Sequence, residues 1–330
     1  MIGRRELLSA TAAAMGAVAS VGPASAQPTA GGGAAAASWQ PTRPIQCIVG
    51  FAPGGGTDLI ARAIVEATQP LVPQPLVVVN RPGAGGTIAA QAVAGMPPDG
   101  HALLMGGGSE STSIPVFRQL PYDSKSSFRA VLRLMRQRMF VLAKADGPFR
   151  SMGEAVAAAR ERPQAVSHGS SGVGSIYHAV FVVLERRAGV EFLHVPFNGG
   201  APGLQALAAG QIGLMVAAPE EFRGLLDGGL VRPLACCSAE RSEAFPEVPT
   251  LRELGWEVEL ENMKGWLAPA GTPDAAVAYL HDRFRQGLQT QTWRAFLERA
   301  GESGGYLDGP GFQRAMDAML DAIAGTVRRG

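Results

Sequence analysis

One short stretch, residues 45–58, constrains this chain more than any other. It reads IQCIVGFAPGGGTD. The apolar run 45–51 reads as a buried strand, Pro53 breaks it, and Gly54, Gly55 and Gly56 follow. Thr57 is placed to cap a helix that Leu59, Ile60, Ala63 and Ile64 continue. A strand, a glycine turn and a helix start in so short a span aim free backbone N–H groups and the positive helix end at one spot. An anion is the natural occupant.

The design recurs. The β-branched run 76–80 leads into the loop RPGAGGT at 81–87 and a short helix at 88–94. A third strand at 101–105 ends in Gly106-Gly107-Gly108-Ser109. In an α/β sheet such turns lie at the carboxyl edge of the strands, where ligands bind. A second α/β pattern follows Asp146-Gly147-Pro148. It has a helix at 152–160, a strand at 165–168, the small-residue loop GSSGVGS at 169–175 and a helix at 177–187. Strands at 192–196, 212–217 and 231–237 continue it, with Asn198-Gly199-Gly200 turning after the first. The chain crosses back near Trp266, and its tail is helical: Phe312, Met316, Met319, Ile323 and Val327 recur at helical spacing. Pro273 opens the first tail helix with Thr272 as its cap.

These patterns predict two α/β lobes joined by two hinge crossings. Residues 41–142 with 263–330 form lobe 1 and 143–262 form lobe 2. Such an architecture closes on a ligand as a clamp.

The chain of 330 residues is long enough for two cores. Its net charge of +1, with no run of five or more Lys or Arg, gives no nucleic-acid surface. Residues 1–26 read as an export signal: Arg4-Arg5, an apolar Ala-rich segment, then Ala24-Ser25-Ala26 as a cleavage site. Arg4-Arg5 also fits a twin-arginine signal. Residues 27–40 read as a flexible lead-in. Cys47, Cys236 and Cys237 sit in apolar runs and read as buried free thiols.

Three kinds of chemistry fail on spacing. No lysine follows Gly54–Gly56 as a phosphate loop requires, and neither glycine-rich loop completes G-x-G-x-x-G. Ser171 lacks the glycine two residues on that a nucleophile elbow needs. His168, His178 and His194 have no metal-ligand spacing and no carboxylate cluster beside them. Ser170, Ser171 and Ser175 instead offer hydroxyls and amides at a helix start, a second polar cradle with His178 behind it. Asp58, in the first helical turn, reads as a brace that Arg62 can pair with one turn on.

Taken together, GFAPGGGTDLIAR at 50–62, NRPGAGGTIAAQAV at 80–93, PPDGHALL at 97–104, LPYD at 120–123 and HGSSGVGSIYHAV at 168–180 carry a resemblance. HVPFNGGAPGLQALAAGQI at 194–212, SAERSEAFPEVPTLRELG at 238–255 and LAPAGTP at 267–273 complete it. The chain resembles the substrate-binding component of tripartite tricarboxylate transporters, the Bug/TctC-type periplasmic proteins.

The resemblance implies a two-lobed, periplasmic-binding-protein-like (Venus flytrap) fold. It also implies a non-enzymatic, monomeric, periplasmic receptor, cleaved after Ala26, that needs no cofactor or metal. It would bind a small organic carboxylate and pass it to membrane permease subunits, or to a sensor ectodomain. The ligand would lie against Phe51, Ala52, Pro53, Gly54, Gly55, Gly56, Thr57 and Asp58 on one side, with Gly83, Ala84, Gly85, Gly86 and Thr87. The other lobe would offer Ser170, Ser171, Gly172, Ser175 and His178, with Pro196, Phe197, Asn198 and Gly199. Where the family often carries an acidic or amide pair, this chain has Ala217 and Ala218. A cleft without that carboxylate predicts a ligand that lacks an ammonium group.

Overall fold

A computed structural model describes residues 39–302 and 304–327. The expected export signal, its cleavage site and nearly all of the lead-in lie outside the described residues. Strand and helix alternate from the start: Ile45–Val49 (β1), Gly56–Thr68 (α1), Leu76–Asn80 (β2), Thr87–Ala94 (α2) and Ala102–Gly106 (β3). The single helical turn Ile114–Phe117 (α3) and the long strand Phe128–Gln137 (β4) follow. Next come Phe140–Lys144 (β5), Met152–Glu161 (α4), Ser167–Ser170 (β6), Ile176–Ala188 (α5) and Leu193–Pro196 (β7). Gly200–Ala208 (α6), Leu214–Ala217 (β8), Pro219–Asp227 (α7) and Val231–Cys236 (β9) complete that set. The chain ends in Asn262–Pro269 (β10), Asp274–Gly287 (α8), Gln291–Ala300 (α9), Leu307–Asp308 (β11) and Gly309–Val327 (α10).

Two sheets result. The first runs β11-β4-β10-β3-β1-β2, with β1, β2 and β3 parallel and β10 antiparallel between β3 and β4. The second runs β7-β6-β8-β5-β9, with β6, β7 and β8 parallel and β5 antiparallel to both neighbours. β1 is buried on both faces, which its near-continuous apolar sequence requires. The apolar stripe of α1, Ile60, Ala61, Ile64 and Ala67, packs into one core with Leu280, Phe284 and Trp293 from the tail helices. Each fully buried side chain of this size contributes about 1.5–3 kcal/mol.

Two boundary expectations are corrected. β5 pairs wholly within the second sheet, so the first crossing is at Arg138 and Met139 rather than at 142/143. The apolar run offered no break there, because both sheets demand the same buried residues. The tail also does not pack on the first lobe alone. Phe312 and Met316 of α10 join Ile48, Leu104 and Met263, whereas Ile323 joins Val180 and Leu184 under the second sheet. A helix of 19 residues spans roughly 28 Å, enough to reach both cores.

Two caps also shift by a residue or two. Gly55, not Thr57, is the N-cap of α1. Pro273 is the N-cap of α8, while the Thr272 hydroxyl donates back to the Pro269 carbonyl at 2.7 Å. Among the described residues no helix is long and apolar enough to cross a membrane.

Candidate functional site

The three glycine turns after β1, β2 and β3 are cross-braced. A Cβ at Gly50 would lie 2.6 Å from the Gly86 Cα, so only glycine lets the first two turns pass this closely. Gly86 itself holds φ +94°, a left-handed conformation that favours glycine. Asn80 Nδ2 donates to the Phe51 carbonyl at 3.0 Å and to Asp58 Oδ1 at 2.8 Å. The other Asp58 oxygen accepts from the Gly54 amide and from Arg62 Nε, each at 2.8 Å. Burial raises the Asp58 pKa, but these hydrogen bonds outweigh it and hold the carboxyl below its ordinary value. Asp58 is therefore spent inside the turn, and its brace is the role the geometry supports rather than ligand contact. Arg118, which the sequence reading passed over, ties the second turn by donating to Ala84 O at 2.9 Å and Thr87 Oγ1 at 3.0 Å. The amides of Gly56 and Thr57 meet no acceptor among the described residues.

The serine loop reaches this region through its helix. The Ile176 amide donates to Ser109 Oγ at 3.0 Å, and a Cβ at Gly174 would touch Phe117 and Ile114 at 3.4–3.5 Å. Ser175 caps α5 by accepting from the His178 amide at 3.2 Å. Ser170 is fully buried and satisfied locally: its Oγ donates to Gly172 O at 3.0 Å and lies 2.7 Å from His194 Nε2. Ser171 is half-buried, and His178 Nδ1 accepts from the Gly174 amide at 3.2 Å. Pro196 and Asn198 are exposed, whereas Phe197 packs against Gly169 and Gly203. Gly199, with φ +108°, is the N-cap of α6.

His168, His178 and His194, far apart in sequence, form a column. His194 stacks on His168 at 4.8 Å and on His178 at 4.0 Å between ring centroids. The rings lie face to face, and among the described residues no group of three or more His, Cys, Asp or Glu could hold a metal. Burial, with the neighbouring histidines, pushes His168 down to about 2 and His178 down to about 4.

The charged part of the site is what sequence reasoning missed. Ala217 and Ala218 are fully buried and offer no polar side chain. The next turn corrects the expectation of a carboxylate-free cleft. At the start of α7, Glu221 accepts from Tyr177 Oη at 2.5 Å and from the Ala218 amide at 3.1 Å. Glu220 accepts from Gln137 Nε2, and its Oε1 lies 2.8 Å from where a Gly56 Cβ would stand, at the positive end of α1. Burial and the adjacent Glu221 raise Glu220 to about 7.

Glu110, 2% exposed, accepts from the Gly108 amide and Ser111 Oγ and sits 3.5 Å from a Gly86 Cβ position. Lys264 of β10 is 3% exposed and stands over the Phe51 ring at 5.6 Å. Among the described residues its ammonium has no hydrogen-bond or ion-pair partner, and burial lowers its pKa. None of them is among the sequence-predicted site residues: Lys264 lies in the buried strand β10, Glu110 after three glycines and Glu220-Glu221 at the start of α7. A lone charge inside an otherwise buried strand was the available signal.

The profile described as tripartite tricarboxylate transporter family receptor matches residues 60–314. The UPF0065 protein in the gbd 5' region of Cupriavidus necator is 32% identical over 265 residues, covering 78% of this chain and 79% of its own. A Rhodopseudomonas palustris protein solved with adipate matches at TM-score 0.78 and 30% identity, over 87% of this chain and 97% of that one. MatC from Rhodopseudomonas palustris, solved with bound malate, matches at TM-score 0.78 and 29% identity, over 87% and 99%. The chain belongs to the tripartite tricarboxylate transporter receptor family of two-lobed, periplasmic solute-binding proteins.

Proposed function

We propose that this receptor captures a small organic carboxylate between its two sheets and hands it to the membrane permease subunits of a tripartite transporter. It does so as a monomer, after export and removal of residues 1–26. The observation that carries the ligand class is Lys264. A buried ammonium with no hydrogen-bonded partner is costly, and a ligand carboxylate beside the glycine turns would supply one. The unpartnered amides of Gly56 and Thr57 add donors nearby. The family relatives solved with adipate and with malate agree with a carboxylate.

A thermal-shift screen over organic acids tests this. An acid at one hundred times its dissociation constant adds about 2.7 kcal/mol of stability. Lys264→Met removes one charge-assisted hydrogen bond, worth about 1.5–3 kcal/mol, and weakens that acid roughly tenfold or more. Unchanged affinity in Lys264→Met would remove the lysine from the site.

A further inference from the structure

A carboxylate answers only half of what this cleft leaves unpaired. Lys264 is an unpartnered donor, but two acceptors share its surroundings. Asn262, 5% exposed, has a buried Oδ1 that accepts nothing, and Glu220 Oε2 is likewise buried and unpartnered. Asn262 Oδ1 and Lys264 Nζ lie 2.8 and 3.0 Å from the same point, the Cβ position of Gly108. The Asn262 amide nitrogen is already used, donating to Gln137 Oε1 at 2.5 Å. Gln137 in turn donates to Glu220, so one chain of hydrogen bonds links the unpaired oxygens.

The charges are also unequal. Glu110, Glu220 and Glu221 face a single ammonium. A dicarboxylate entering here would satisfy Lys264, leave both acceptors unpaired and add to the negative charge. A ligand with a carboxylate and a cationic donor would satisfy both sets and leave the net charge unchanged.

We infer that the cleft is selective for zwitterions: small acids that also carry an ammonium or guanidinium group. The carboxylate meets Lys264, and the cationic group meets Glu220 and Asn262. The inference rests on the carboxylate reading of the same site and adds its second pole.

Isothermal titration of the purified wild-type protein at pH 7.5 with matched pairs tests it: glutamate against glutarate, 4-aminobutyrate against butyrate, and 4-guanidinobutyrate against butyrate. At least one cationic member is expected to bind tenfold or more tightly than its partner. In Glu220→Gln, an isosteric change, that preference falls by tenfold or more while the affinity of the partner that lacks the cationic group holds or rises. The wild-type comparison needs no variant to fold. If glutarate and butyrate each bind as well as all of their cationic counterparts, the zwitterion inference is overturned and the carboxylate reading stands. If no member of any pair binds, both fall together.

Discussion

The Ser109 hydroxyl accepts the Ile176 amide at 3.0 Å, joining the third glycine turn of the first sheet to the first turn of α5 beside the second. Both groups are buried, and the Ile176 amide is one of the orphan donors at a helix start. Ser109→Ala leaves that donor without a partner and is expected to cost about 1–3 kcal/mol, read from the urea midpoint. Full retention of stability would mean that water replaces the hydroxyl without loss.

Asp58 ties together the glycine loop, helix α1 and the end of β2 through Gly54, Arg62 and Asn80. Replacing it with alanine strands the Asn80 amide and the Gly54 N–H, and we expect roughly 2–4 kcal/mol of destabilisation. Because its folded pKa is lowered, this contribution is present above the unfolded value of 3.8 and is lost as pH falls through the folded value. A stability loss in Asp58→Ala that is as large in strong acid as at neutral pH would contradict this account.

Glu302 gives the opposite sign. Burial, with Glu220 nearby, raises it to about 8, although its Oε1 accepts from the Arg138 amide at 2.9 Å. Between the unfolded value of 4.5 and about 8, the unfolded chain has lost the proton that the folded chain keeps. Stability therefore falls as pH rises, by up to about 1.4 kcal/mol per pH unit. The lowered histidines His168 and His178 act below 6.5, where they raise stability with pH, so the window from 6.5 to 8 isolates the glutamates. Urea titrations at both ends should show wild type losing on the order of 2 kcal/mol, and Glu302→Gln losing less. Equal slopes in the two proteins would remove Glu302 as the cause.

All three thiols are free and buried, and burial pushes each of them up. A thiol held protonated and out of solvent reacts slowly. Aromatic disulfide reagents should label none of the three in the folded protein and all three in guanidinium chloride. Prompt labelling of the native protein would show that at least one of the three becomes exposed in solution.

Much of the fold was legible because local pattern and tertiary demand agree. The strand at 76–80 was read to the residue, and the strands near 45, 102 and 231 to within one or two. Misreadings fell where two environments ask for the same residue type. The run through Phe140 is apolar in either sheet, so only pairing assigns it. The periodicity of α10 reports a buried face without saying which core covers it.

By itself, the sequence determined the two sets of α/β units, the glycine turns at the strand ends, the bracing role of Asp58 and the family. Those follow from periodicity, from backbone conformations that favour glycine and from short-range hydrogen bonds. Only the tertiary structure decided which charges meet. Lys264, Glu110 and the Glu220-Glu221 pair come from three separate segments, and the three histidines from three. Each reads as an isolated residue until the sheets bring them within a few ångströms, where Coulomb energy and lost solvation become large. The stretch after β1 announces an anion, but the lysine that would hold it lies some two hundred residues further on, and the glutamate that stands at its helix about 160.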